Sequence, residues 1–271
     1  MWAVVALASE GPTPVSNDSK EEQLKSILAR LSQTAVQYRE SALQFSCQER
    51  ISWSARGKGG VAAFGYVFVF EEGYGFSDYR TPPRRGSRKK PLEKVEPETF
   101  GVPRYLGSAY LWIFSFRAER QGRHRYELLG EEDLNGRPAL RIHFEPIAPY
   151  VPGVNDWFGT AWVERGTAQL LKLEAYTPNS WNELQKARQH ENGEGPDTAQ
   201  YSIERITTLF TVERNGMRFP GKVELSREQV EVSKRGSGWH ATTTTLLQVN
   251  QVYSNYEFFG VEVQGQPPNP G

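Results

Sequence analysis

The run VAAFGYVFVF at residues 61–70 decides the fold class. One parity carries Phe64, Tyr66, Phe68 and Phe70; the other carries Ala63, Gly65, Val67 and Val69. Successive side chains of a strand point to opposite faces, so a strand on a half-solvated sheet alternates apolar with polar. This one is apolar on both parities, which predicts a cover on each side. Parity alone leaves open which side meets a helix and which meets a cavity.

Upstream of that strand, Ser19 and Glu22 form a capping-box pattern. Leu24, Ile27, Leu28, Leu31, Ala35, Tyr38, Ala42 and Phe45 follow at spacings of three and four. They predict one long amphipathic helix with Lys25, Arg30, Gln33, Gln37 and Glu40 on its polar side. Strands are expected at 46–54, 61–71 and 74–80, then a Pro- and cation-rich loop from residue 80 to 91. Residues 103–116 have apolar positions at helical spacing, and a buried strand is the alternative there.

Hairpins follow. Asn135-Gly136 suits a type I′ turn between strands at 126–133 and 139–144. A second hairpin joins 160–164 to 170–176, and a third joins 201–213 to 218–227 through Asn215-Gly216. Residues 179–198 read as a loop or short helix, and the closing strands as 228–234, 239–253 and 256–264. The fold class is therefore mainly β (α+β): a curved antiparallel sheet forming an unclosed half-barrel, with the N-terminal helix and a second helical segment packed on it. A single domain is expected over 19–264, between a leader remnant with linker (1–18) and a disordered tail (265–271).

The totals exclude some classes. Lys+Arg and Asp+Glu both number 32, so no basic excess points to nucleic acid. The single cysteine, Cys47, can form no internal disulfide and reads as a buried small hydrophobe. MWAVVALA at the start has a small-x-small ending, which is read as the tail of an export signal. No stretch is long enough to span a membrane as a helix.

Catalytic patterns are missing. His124, His143, His190 and His240 are scattered without ligand spacing, and no G-x-S-x-G or phosphate-binding loop occurs. No enzyme activity, cofactor or metal is expected. The candidate ligand-binding residues are the aromatics Phe64, Tyr66, Phe68 and Phe70, joined by Tyr110, Phe114, Trp162, Leu171 and Phe210. Arg84, Arg85, Arg88, Lys89 and Lys90, with Arg80 beside them, form a basic loop with no acid in its own stretch. It could meet an anionic head group at about 1 kcal/mol per cation, although a solvated loop explains it as well.

The order of elements, the phrase LNGRPALRI at 134–142, GTAWVE at 159–164 and the closing VYSNYEFF at 252–259 resemble the LolA/LppX-like superfamily of periplasmic lipoprotein carriers and lipid-binding proteins. The resemblance implies an open half-barrel whose helices plug a hydrophobic concavity for acyl chains. It implies an exported, monomeric, non-catalytic protein of the cell envelope that binds or shuttles a lipid or acylated protein. The alternative is an envelope scaffold or protein-interaction module with a filled core. A carrier requires an apolar cavity of several hundred Å³ between sheet and helices; a scaffold requires an exposed apolar patch.

Overall fold

The computed structural model describes residues 17–42, 45–71, 75–81, 112–113, 115–148 and 157–258. Helix α1 (Asn17–Ala42) leads into β1 (Phe45–Ala55), β2 (Lys58–Glu71) and β3 (Gly75–Thr81). A short helix α2 (Ala118–Gln121) precedes β4 (His124–Asp133), β5 (Pro138–Pro146), β6 (Phe158–Glu164) and β7 (Leu170–Tyr176). Helix α3 (Pro178–Glu191) is followed by β8 (Thr198–Leu209), β9 (Val212–Arg214), β10 (Met217–Phe219), β11 (Lys222–Arg235) and β12 (Gly238–Phe258).

Ten strands make one sheet in the order β3-β2-β1-β12-β11-β8-β7-β6-β5-β4, while β9 and β10 form a separate small hairpin. Every pairing is antiparallel. The ends of the order, β3 and β4, are not paired with each other, so the sheet does not close. The expected half-open sheet with an N-terminal helix and a second helix is the architecture found.

Period two sorts the side chains. Phe64 and Tyr66 of β2, Cys47 and Ile51 of β1, Val249 and Tyr253 of β12, and Val223 and Leu225 of β11 share one buried cluster. Ile206, Leu173, Ala161, Ile142 and Phe144 continue it across β8 to β5. Helix α1 lies on this inner face through Ile27, Leu31, Ala35 and Tyr38, each buried. Burying such side chains contributes about 1.5–3 kcal/mol apiece. On the opposite parity of β2, Val61 (60% exposed) and Ala63 lie open to water, whereas Gly65 and Val67 are half-buried. Small residues leave little apolar area on that side, and isolated exposed apolars are ordinary.

The outer face carries the second layer. Of the loop or short helix expected at 179–198, the helix is found at Pro178–Glu191: Thr177 caps it by accepting a hydrogen bond from the Ser180 N–H (3.2 Å), and Pro178 occupies the first turn. It covers Ile203, Val230 and Val232. His190, fully buried at its end, pairs through Nδ1 with the Tyr201 hydroxyl (3.0 Å) and through Nε2 with the Pro196 carbonyl.

Turn chemistry fixed several hairpins. Asn135 and Gly136 have φ of 57° and 80°, and Asn215 and Gly216 have 51° and 74°, the left-handed pair a type I′ turn requires. The second turn, however, joins β9 to β10. The strand expected at 201–213 ends at Leu209, but the pairing expected across that turn is found: β8 pairs antiparallel with β11, Leu209 opposite Lys222. The closing segments expected as three strands are one continuous β12 and the far half of β11.

Candidate functional site: the inner face beneath α1

Beneath the C-terminal half of α1 the small β9–β10 hairpin brings Phe219 into an aromatic group. Its ring lies 5.3 Å from Tyr38, 5.4 Å from Phe45 and 5.1 Å from Phe258, centroid to centroid. Tyr256 stacks on Phe258 at 5.8 Å, and its hydroxyl donates to the Pro220 carbonyl at 2.5 Å. Burial, helped by Cys47, pushes the Tyr38 hydroxyl well above its ordinary pKa. Cys47 is a buried free thiol, as expected.

A polar island interrupts this apolar face. Arg80 Nε donates to Glu49 Oε2 at 2.5 Å and Nη2 to Oε1 at 2.9 Å, a bidentate pair with almost no solvent contact. Gln251 donates through Nε2 to Glu49 and to the Tyr253 hydroxyl. The Arg80 guanidinium sits 5.2 Å over the Tyr66 ring. Burial alone would lower its pKa, but the Glu49 carboxylate reverses this and raises it, so Arg80 stays charged. Arg80 was expected in the basic loop; it belongs to β3 and faces an acid inside the core. Glu49 was missed. Its signal is a lone charge on the inward parity of β1, between Cys47 and Ile51.

The other end of the interior is built by Trp112 against Trp157 (5.2 Å, edge-on) and Phe116 against Phe144 (5.8 Å). Gly159 makes room there: a Cβ would lie 2.8 Å from the Phe144 ring. The described part of the helix expected over 103–116 consists of short helical turns at 112–113 and 115–116. Tyr126 donates to the Ser115 carbonyl at 3.0 Å, and burial raises its pKa.

Of the expected site residues, Phe64, Tyr66 and Phe210 join this inner cluster. Trp162 and Leu171 do not. They pack with Ala139 in a separate outer-face cluster, where Lys172 Nζ sits 4.0 Å over the indole and Trp162 Nε1 donates to Glu132 at 2.8 Å. A register shift at Trp162/Val163 sends Leu170 inward and Leu171 outward. Phe68 and Phe70 lie on β2, with their side chains outside the description. Tyr110, Phe114, Arg84, Arg85, Arg88, Lys89 and Lys90 lie outside the described residues.

The family-like phrases meet at a different place. Arg137 of LNGRPALRI donates to Glu164 of GTAWVE at 2.7 Å, and Thr167 donates to the same carboxylate at 2.5 Å. Arg218, itself buried, joins Glu164 at 3.5 Å and Glu213 at 2.9 Å. This network ties three hairpin turns together. The phrases are structural.

Helix α1 is fastened beside that network. Arg30 donates to the carbonyls of Arg165 (3.2 Å) and Gly166, and Thr34 Oγ1 donates to the Ala168 carbonyl (3.4 Å). A cavity of about 280 Å³ lies on the outer flank of α1, lined by Ser32, Ala35, Val36, Arg39, Glu40, Arg117 and Glu119. Beneath the helix, the described rings touch one another.

No family model matches the chain, and no curated protein does. Among solved structures it is similar to a DUF1329 family protein from Desulfovibrio piger (12% identity, 90% of this chain and 95% of that one, TM-score 0.43). It is also similar to a putative outer membrane lipoprotein-sorting protein domain from Vibrio parahaemolyticus (12%, 93% and 95%, TM-score 0.44). A third is a LolA superfamily protein from Nitrosomonas europaea (12%, 88% and 94%, TM-score 0.37). At such identities and scores these neighbours transfer no function, which is read from this chain's own side chains.

Proposed function

We propose that this is a non-catalytic, exported binding protein, residues 19–264 forming one domain, that holds the acyl part of a lipid or acylated protein on the inner face of the sheet. One observation supports the reading: an apolar, aromatic face spanning β2 to β5 lies under α1, whose polar fastening among the described residues is side-chain hydrogen bonds to the β6–β7 turn, to Ala118 and Gln121 of α2, and to Glu131 of β4. Lifting α1 would open a groove rather than unfold the sheet. Each methylene sheltered there contributes about 0.8 kcal/mol, enough to hold a chain and weak enough to release it.

The test is native mass spectrometry of protein purified from its own envelope, followed by organic extraction and uptake of a fluorescent fatty acid. A Thr34→Cys/Ala168→Cys pair then locks α1 to the turn. Uptake that disappears on oxidation and returns on reduction is the expected result. Undiminished uptake in the locked protein would sink the groove, and an empty protein with no uptake would sink the carrier. The second reading, an envelope interaction module with a filled core, is favoured by the ring contacts beneath α1.

A further inference from the structure

The chain holds three Asn-Gly pairs, at 135–136, 192–193 and 215–216, all on exposed turns. This dipeptide rearranges without an enzyme, because glycine leaves its own amide nitrogen open to the preceding side chain. That nitrogen, its proton lost to hydroxide, attacks Cγ of the asparagine. A new C–N bond closes a succinimide ring, and the side-chain amide departs as ammonia, taking up a proton from water. A second water opens the ring at either carbonyl, giving aspartate or isoaspartate, and nothing is oxidised or reduced.

The three turns hold the attacking nitrogen differently. The Gly136 N–H donates to Asp133 Oδ1 at 2.6 Å, and the Gly193 N–H donates to the His190 carbonyl at 3.0 Å. The Gly216 N–H has no acceptor among the described residues. Charge sorts the turns the same way. The Asp133 carboxylate sits on the first nitrogen, and Glu191 and Glu194 flank the second pair, each opposing loss of a proton. Arg214 directly precedes Asn215 and favours that loss, the neighbouring Glu213 carboxylate being held by Arg218 at 2.9 Å. Main-chain restraint differs too. Asn135 closes a hairpin of the ten-stranded sheet, where Leu134 and Arg137 exchange both hydrogen bonds (2.9 and 3.3 Å). Asn215 closes β9–β10, which has three residue pairs and lies outside that sheet, so its turn opens locally more often.

We propose that Asn215 is a site of spontaneous deamidation, and that its isoaspartyl product releases the β9–β10 hairpin from beneath α1. Isoaspartate carries the main chain through its side-chain carbons, one atom longer than before. A two-residue turn with φ of 51° and 74° does not close over that insertion, so the pairing of Val212 with Phe219 is lost. Phe219 then loses its seat against the rings of Tyr38, Phe45 and Phe258. Aspartate at the same position keeps the chain length and tolerates a left-handed φ as asparagine does. The modification does not depend on what the inner face binds.

Peptide mapping by mass spectrometry, on folded protein aged at mildly alkaline pH, tests it. Position 215 should gain the mass of an amide-to-acid change about tenfold faster than 135 and 192, the factor set by one amide hydrogen bond. Unfolding in urea should bring the three rates together, since the dipeptide is the same. Asp133→Ala, which frees the Gly136 N–H, should speed Asn135 and leave Asn215 unchanged. Aged protein enriched in isoaspartate should unfold at a lower temperature than fresh protein, while Asn215→Asp aged in parallel should not. Equal rates at the three positions in the folded protein, or no mass gain at 215, overturn the assignment. An Asn135 that stays slow in Asp133→Ala overturns its cause, and isoaspartyl protein as stable as fresh overturns the release of the hairpin.

Discussion

Two charged groups in this molecule differ in how fully they are sealed from water. Glu49 and Arg80 face each other inside the core, with side chains 0% and 4% exposed. Glu164, Arg137 and Arg218 gather at the turns, where the guanidinium of Arg137 is 47% exposed. The first group is isolated from water and satisfied only by its partners. The second is shared among three loops, with Glu164 and Arg218 largely buried and Arg137 and Glu213 open to water. Removing one member of a buried pair leaves an uncompensated charge, whereas exposed pairs contribute little.

That contrast orders the consequences of substitution. Glu49→Ala should cost about 3–5 kcal/mol, read as a lower urea midpoint, because Arg80 is left charged and buried. The double change Glu49→Leu/Arg80→Met should recover most of that loss; if it is no better than the single change, the pair is not what the site depends on. Glu164→Gln should cost about 2 kcal/mol at neutral pH. Partial burial pushes the Glu164 carboxyl up, but Thr167, Arg137 and Arg218 outweigh it and hold it below the usual range. A depressed folded-state pKa gives stability that is complete above the unfolded value of about 4.3 and lost as pH falls through the folded one. The gap between wild type and Glu164→Gln should therefore close in acid; a gap that persists there would assign the loss to packing. Smallest of all, Arg165→Ala, which breaks an ion pair with Glu131 whose members are 61% and 45% exposed, should change stability by no more than about 0.5 kcal/mol.

What could be read in advance follows local chemistry. The α1 stripe and the Asn-Gly turns are short-range signals, and both reappear in place. The partnership of Glu49 and Arg80 joins positions 31 residues apart, and in the sequence Arg80 merges with the cations that follow it. Trp162 misled for another reason. Ala161, Trp162 and Val163 are all apolar, so alternation could not say which pointed inward, and the adjacent register shift erased the parity of Leu171. The length of α3 was hidden by its polar surface, although Thr177-Pro178 marks its start.

The buried ion pair also crosses a strand. Glu49 belongs to β1 and Arg80 to β3, with Tyr66 of β2 between them. An outermost strand normally frays on its own, its amide protons exchanging fast through local opening. Here β3 cannot peel away without dragging the Arg80 guanidinium off the Glu49 carboxylate. Its amides near Arg80 should then exchange on the timetable of the central strand, making the rim of the sheet as slow to open as its middle.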